Sequence, residues 1–286
     1  FVLAAALALA APTPLHAQTA DASPEDPAAQ YDAAVRDAEI ARPEEVRNTL
    51  TPVVRSNGGL VWERAGGRGR VLVATWVTDA RAAAYAERLA GRARSMQLSD
   101  EVWVTLVPEG RRYPLGAGLA GDSLTRRLEQ LLGLPPAAAG AAWRKVKFVE
   151  FWVSPSDLFR PCPDPEIADR ECGIFFPVSR RVSRKHRDWF FEKLKSSYVG
   201  QVRFPWTRLG YTYDWAGPRE RRDPGDHMGL SEFVVRPLAR VTLNCVEETE
   251  RYLREGCPVV NSYEQNKSRN RRRGIHRRRP RRPARP

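Results

Sequence analysis

The segment Lys145 to Val153 reads KVKFVEFWV and divides its side chains between two faces, Val146, Phe148, Glu150 and Trp152 on one and Lys147, Val149, Phe151 and Val153 on the other. Successive side chains of a strand point to opposite sides. Two partly apolar faces therefore predict a strand in the middle of a sheet, covered on both sides. Working outward, LVWE from Leu60 and RVLVATWVT to Thr78 are apolar, β-branched runs around the glycine-rich AGGRGR, whose glycines supply the positive φ of a hairpin turn. EVWVTLV, Glu101 to Val107, alternates in the same way, and SEFVVR and ARVTLNCV read as two further strands.

The helical signals lie between these runs. Asp122 and Ser123 precede LTRRLEQLLG, where Leu124, Leu128, Leu131 and Leu132 form an apolar stripe ended by Gly133 and the Pro135-Pro136 pair. SRKHRDWFFEKLKSSY predicts a basic helix with Trp189, Phe190 and Leu194 inward, and EETERYLREG a short helix closed by Gly256. AAQYDAAVRDAEIA, from Ala28, and PEEVRNTL, from Pro43, predict two helices that are exposed or lightly packed. Between two strands, ARAAAYAERLAGRARSM reads as a helix or a long excursion. Strands outnumber helices without alternating regularly with them. The expectation is an α+β fold, a mostly antiparallel mixed sheet with peripheral helices.

Residues 1–17, FVLAAALALAAPTPLHA, read as the tail of an export signal cut after Ala17. Residues 18–29 read as a flexible leader, 30–265 as a single α+β globular domain, and 266–286 as a disordered Arg-rich tail. The tail skews the charge. Of the 47 Lys and Arg in the chain, against 34 Asp and Glu, eleven fall from Lys267 onward with no acid among them. The body is close to neutral, so the basic balance describes a tail, and export argues against nucleic acid as its partner. Clustered arginines without interleaved aromatics suit an anionic surface instead.

Four cysteines, Cys162, Cys172, Cys245 and Cys257, permit three pairings, and proximity favours Cys162 with Cys172 and Cys245 with Cys257. Short loops closed this way are credited with roughly 3 kcal/mol each. The gaps are too wide for the close pairs of a zinc site, so no metal or other cofactor is expected. Export and disulfides together predict a secreted or periplasmic protein.

Catalytic signals are sparse. Gly121-Asp122-Ser123-Leu124 spells GDSL, the nucleophile block of a family of secreted esterases and lipases, but YPLGAGLA before it is not strand-like, and Pro224 stands where a D-x-x-H block ending at His227 needs its Asp. Asp122 or Ser123 is better read as the cap of the Leu124 helix. His186, among Arg184, Lys185 and Arg187, reads as solvated, while His227 beside Asp226 is a candidate base. Asp164, Glu166, Asp169 and Glu171 crowd the first cysteine loop without the spacing of a calcium loop, and read as a solvated acidic loop.

The segment Phe204 to Trp215 carries the strongest binding signal. Trp206, Tyr211, Tyr213 and Trp215, with Arg208 and Asp214, present aromatic faces beside polar groups, which suit an envelope glycan or peptide or else cover the core. Three functions follow: a non-catalytic binding module using Trp206, Arg208, Tyr211, Tyr213 and Trp215; an envelope hydrolase using Ser123 or His227 with Asp157, Asp164 or Asp226; and an assembly module docked through the basic tail.

Overall fold

β-branched and aromatic residues fill both faces of Arg68–Thr78 and Lys145–Val153, and these two strands pair antiparallel from Val71 opposite Val153 to Thr78 opposite Lys145. They form the centre of a computed structural model that describes residues 26–91 and 94–258. In chain order the strands are β1 (Trp62–Arg64), β2 (Arg68–Thr78), β3 (Ser95–Gln97), β4 (Val102–Leu106), β5 (Lys145–Val153), β6 (Leu158–Phe159), β7 (Tyr211–Tyr213), β8 (Met228–Val235) and β9 (Arg240–Glu248). The helices are α1 (Pro27–Ala38), α2 (Asp79–Ala90), α3 (Val107–Arg112), α4 (Gly121–Leu131), α5 (Arg184–Val199) and α6 (Thr249–Glu255).

Strand order is β3-β9-β5-β2-β4-β8-β6, with β1 on β2 and β7 on β8. Every pairing is antiparallel. The fold is the expected α+β class. Gly66 and Gly67 adopt φ of 74° and 66° in the β1–β2 turn, the left-handed conformation that this hairpin needs.

The two faces of β5 enter different cores, as its alternation predicts. Val149, Phe151 and Val153 join Val71, Val73 and Val77 of β2 under Ala82 and Tyr85 of α2. Phe148 and Trp152 join Leu72, Ala74 and Trp76 on the opposite face, under Leu124 and Leu128 of α4 and Tyr252 of α6. Each such side chain taken out of water contributes about 1.5–3 kcal/mol. Helices on both faces hold the sheet between two apolar layers.

The structure departs from sequence expectation near the start of the described residues. Asp26 caps α1 by accepting from the Ala28 N–H, and the helix begins at Pro27, inside the stretch read as leader. Far from lightly packed, α1 buries Tyr31, Ala34, Val35 and Ala38 against Tyr213 and Trp215. These residues recur at helical spacing, so the stripe was present but its cover lies far along the chain. The second expected helix is a single 3-10 turn, Pro43–Glu45. Beyond it the backbone pairs elsewhere, the Leu50 and Val53 N–H groups donating to the Arg170 and Ile167 carbonyls. The segment Ala80 to Met96 resolves into α2, ending at Gly91, and β3.

Both disulfides join the neighbours in sequence, Cys162 with Cys172 and Cys245 with Cys257. Among the described residues no helix is long and apolar enough to cross a membrane. The segments read as an export signal and an Arg-rich tail, and most of the segment read as a leader, lie outside the described residues.

Candidate functional site

One edge of β2 is shared between two partners. Its residues up to Val71 face β1, and only Val73 and Ala74 pair with β4. β4 turns to β8 instead, with Val102 to Thr105 opposite Val235 to Glu232. Beyond Ala74 the two strands part, and the space between Thr75, Trp76, Trp103 and Val104 is part of a cavity of about 120 Å³ beneath α4. A second cavity of about 350 Å³ continues past Trp103, Leu132 and Leu134 to Phe204 and Trp206. A third space, about 570 Å³, is an apolar groove of Leu134, Pro135, Trp143, Val202 and Phe204 that reaches the surface. Leu134 and Lys145 line all three. Together they make one cleft that runs from an apolar mouth to the inner face of the sheet, in the size range of small-molecule sites.

Local sequence explains how the walls are placed. The leucine stripe of α4 faces the sheet, and Gly133 at φ 62° turns the chain so that Leu134 follows it into the wall. Gly133 also sits against the Tyr213 backbone, where a β-carbon would lie 3.3 Å from the carbonyl oxygen. Gly229 allows β8 to approach Thr212 and Leu131 so closely that a β-carbon would collide with both. Thr212 Oγ1 donates to the Leu131 carbonyl at 2.6 Å and accepts from the Leu230 N–H at 2.9 Å, tying α4, β7 and β8 together at the cleft wall.

Four side chains that carry a full charge when ionised line this cleft, Glu232, Lys145, Lys193 and Glu129, the last of these, in the outer groove, already accepting from the Ala137 N–H at 3.0 Å and facing Arg126 at 3.7 Å. Glu232, partly exposed in the middle of β8, lines both inner cavities, and among the described residues its carboxyl has no hydrogen-bond or ion-pair partner. Burial alone pushes its pKa from 4.5 up to about 8. Lys145, the first residue of β5, lies along the whole cleft, and burial, with the Arg81 charge adding to it, holds its ammonium below the usual lysine range. Lys193 also reaches the cleft, but it is held by Glu101 at 2.5 Å, whose other oxygen accepts from Trp189 Nε1 at 2.6 Å. Neutral at pH 7, the Glu232 acid can donate a hydrogen bond; Lys145 supplies positive charge.

The aromatic segment is not an exposed stacking face. Trp206, Tyr211, Tyr213 and Trp215 are each 3–5 % exposed. Trp206 Nε1 donates to the Pro161 carbonyl, Trp215 Nε1 to the Leu134 carbonyl, the Tyr211 hydroxyl to the Glu45 carbonyl and the Tyr213 hydroxyl to Asp37. Amphipathic rings cover the core and satisfy their polar tips internally, which is the alternative that sequence left open. Three of them, Trp206, Tyr211 and Tyr213, nevertheless line the middle cavity from within. Arg208, at φ 60°, donates to the Ala38 and Glu39 carbonyls and so caps the C-terminus of α1 rather than facing a ligand. Asp214 is locked to Arg127.

The expected catalytic residues do not meet. Ser123 lies within the first turn of α4, its hydroxyl donating to the Ala120 carbonyl and accepting from the Ala120 N–H. The N-cap is Ala120, so neither Asp122 nor Ser123 is the cap, although Ser123 does satisfy that helix end. Asp122 binds Arg144. His227 lines a separate cavity of about 320 Å³, stacked on Tyr213 with Nδ1 donating to the Asp214 carbonyl. Burial raises the Asp226 carboxyl, but Arg47 at 2.7 Å and the Met228 N–H more than reverse this and leave it below its ordinary value. That carboxylate is engaged by Arg47, not by His227. Asp164 pairs with Arg180.

Two other sequence readings are corrected. His186 is buried, not solvated, because Ser183 caps α5 and sets the imidazole against the first disulfide loop, Nε2 lying 2.8 Å from the Cys162 carbonyl oxygen and the ring stacked on Trp189. The acidic loop is not free in solvent, since Arg180 reaches Asp164, Glu166 and Asp169. On the same face of the sheet as the cleft, Glu150 is buried beside the Cys245–Cys257 disulfide and accepts from Asn244 Nδ2 at 2.7 Å. Those sulfurs are bonded to one another and offer no thiolate.

Glu232 and Lys145 escaped sequence reasoning. A signal existed in SEFVVR, where Glu232 sits two places after Leu230 and two before Val234, a carboxylate in the apolar phase of a strand. No protein-family model, no curated protein and no solved structure matches the chain.

Proposed function

We propose that this protein is a secreted or periplasmic binding module that takes a small molecule into the cleft between the sheet and α4 without transforming it. The observation that carries the reading is Glu232, an ionisable group with no protein partner inside an apolar-walled cleft. Glu232 is partly exposed to the cleft, and a carboxylate charge held against apolar walls is costly, a cost that a ligand hydrogen-bonded to it offsets. Sites of this kind join a concave apolar wall to a few polar groups with displaced pKa values. The apolar leader and two disulfides support placement outside the cytosol. Binding uses the aromatic segment as expected from sequence, but through the inner faces of Trp206, Tyr211 and Tyr213 instead of an outer surface.

The test is a screen of small-molecule mixtures by melting temperature and tryptophan emission, with Trp103 and Trp206 in the cavity wall as reporters. Active fractions are expected to raise the melting temperature and shift emission, and Leu134→Trp, which fills the cleft where its three parts meet, abolishes both responses in a folded protein. Responses that persist in folded Leu134→Trp would place binding elsewhere.

A further inference from the structure

Resting on the reading of the cleft as a binding site, we propose that its ligand is a monocarboxylate with an apolar body, the carboxylate held between Lys145 and Glu232 and the body lying along Leu134, Trp143, Val202 and Phe204. Three features of the cleft select this chemistry. Lys145 lines every part of the cleft and makes no ion pair among the described residues, so its charge is available to an anion at the junction of the three spaces. The outer groove offers almost only apolar surface, and Trp143 and Val202 there are 50 % and 59 % exposed, so a hydrocarbon or aromatic body gains burial on entering. The inner end carries one acid, Glu232, and no second free base to balance it.

The remaining titratable groups around Glu232 are already committed or uncharged. Lys193 of α5 is paired with Glu101, and the hydroxyls of Tyr211 and Tyr213 on β7 are directed to Glu45 and Asp37. Tyr252 of α6 is held neutral by burial. A protonated Glu232 and a charged Lys145 are two donors lining the same two cavities, a pairing that suits a carboxylate, which accepts from both. An ammonium ligand would meet Lys145 as a like charge, and a neutral alcohol would leave it unpaired.

The experiment is calorimetric titration at pH 6.5 with decanoate, decanol and decylamine, each below its aggregation limit. Decanoate is expected to bind most tightly, Lys145→Met to weaken it roughly tenfold or more while Lys145→Arg restores it, and decanol to be indifferent to both changes. Affinity for decanoate falls as pH rises through the Glu232 pKa of about 8, and Glu232→Gln, which keeps a donor, removes that fall. Decanol or decylamine binding as tightly as decanoate, or decanoate indifferent to Lys145→Met, overturns the ligand class and leaves the cleft as a binding site. Failure of all three to bind a folded protein overturns the ligand class and counts against the cleft itself.

Discussion

Arg127 and Asp214 form a bidentate ion pair at 2.9 and 2.6 Å in which neither side chain is more than 4 % exposed. It clamps α4, the roof of the cleft, to the end of β7, and the Tyr113 hydroxyl donates to the same carboxylate at 3.2 Å. Removing one partner strands the other charge in a dry site. Arg127→Met or Asp214→Asn is expected to cost about 3–5 kcal/mol in urea unfolding, and the double variant less than the sum of the two. Additive losses would show that the pair acts as two independent contacts.

Stability should also report the Glu232 environment. Its carboxyl titrates near pH 8 in the fold against 4.5 ordinarily, so between these values the folded protein holds a proton that the unfolded chain has released. The associated stabilisation is complete below the unfolded pKa and is lost as pH rises through the folded one, at up to ~1.4 kcal/mol per pH unit. Calorimetric melting temperatures are expected to fall between pH 5 and pH 9 more steeply, by roughly that slope, in the wild type than in Glu232→Gln. Parallel curves would mean that Glu232 is hydrated in solution.

Trp215 separates packing from recognition. Buried against Tyr31 with its Nε1 satisfied by backbone, it is expected to cost about 3–5 kcal/mol when changed to alanine, and to loosen α1 with it. A Trp215→Ala protein with unchanged melting and unchanged protease resistance at α1 would contradict the packing described here.

A small change at Gly229 should be as disruptive as a large one elsewhere. A β-carbon there meets Thr212 Oγ1 and the Leu131 carbonyl oxygen, so Gly229→Ala must spread β8 from α4. The expected loss is about 1–3 kcal/mol, read from denaturant midpoints. By contrast Ser123→Ala removes only the two exposed helix-end hydrogen bonds with Ala120, and a loss of ~1 kcal/mol or less is expected.

Alkylation followed by mass measurement of the denatured, unreduced protein is expected to find no free thiol among the four cysteines. Peptide mapping should return Cys162 with Cys172 and Cys245 with Cys257. Cross-paired peptides would require a different path for the segment around β9.

Much of this architecture is local in origin and therefore readable before folding. Alternation in KVKFVEFWV assigned β5 to the centre of the sheet because each of its faces is apolar enough to be covered. The glycines of AGGRGR marked a hairpin, the leucine stripe and Gly133 bounded α4, and short sequence gaps paired the cysteines. Readings failed where a side chain's partner lies far along the chain. His186 looked solvated among basic neighbours, yet its ring meets Cys162 and Phe159. The rings from Trp206 to Trp215 look alike whether they face a ligand or a helix, and α1, some 170 residues earlier, covers Tyr213 and Trp215.

Sequence alone determined the fold class and the apolar phase of each strand and favoured the local sulfur pairing, because periodicity and loop closure depend on residues near one another in the chain. Only the tertiary structure decided which groups remain without partners. Glu232 and Lys145 face a common cleft because the pairing of β2 with β4 stops at Ala74 while β4 continues along β8 on its other edge, an arrangement that no local pattern encodes.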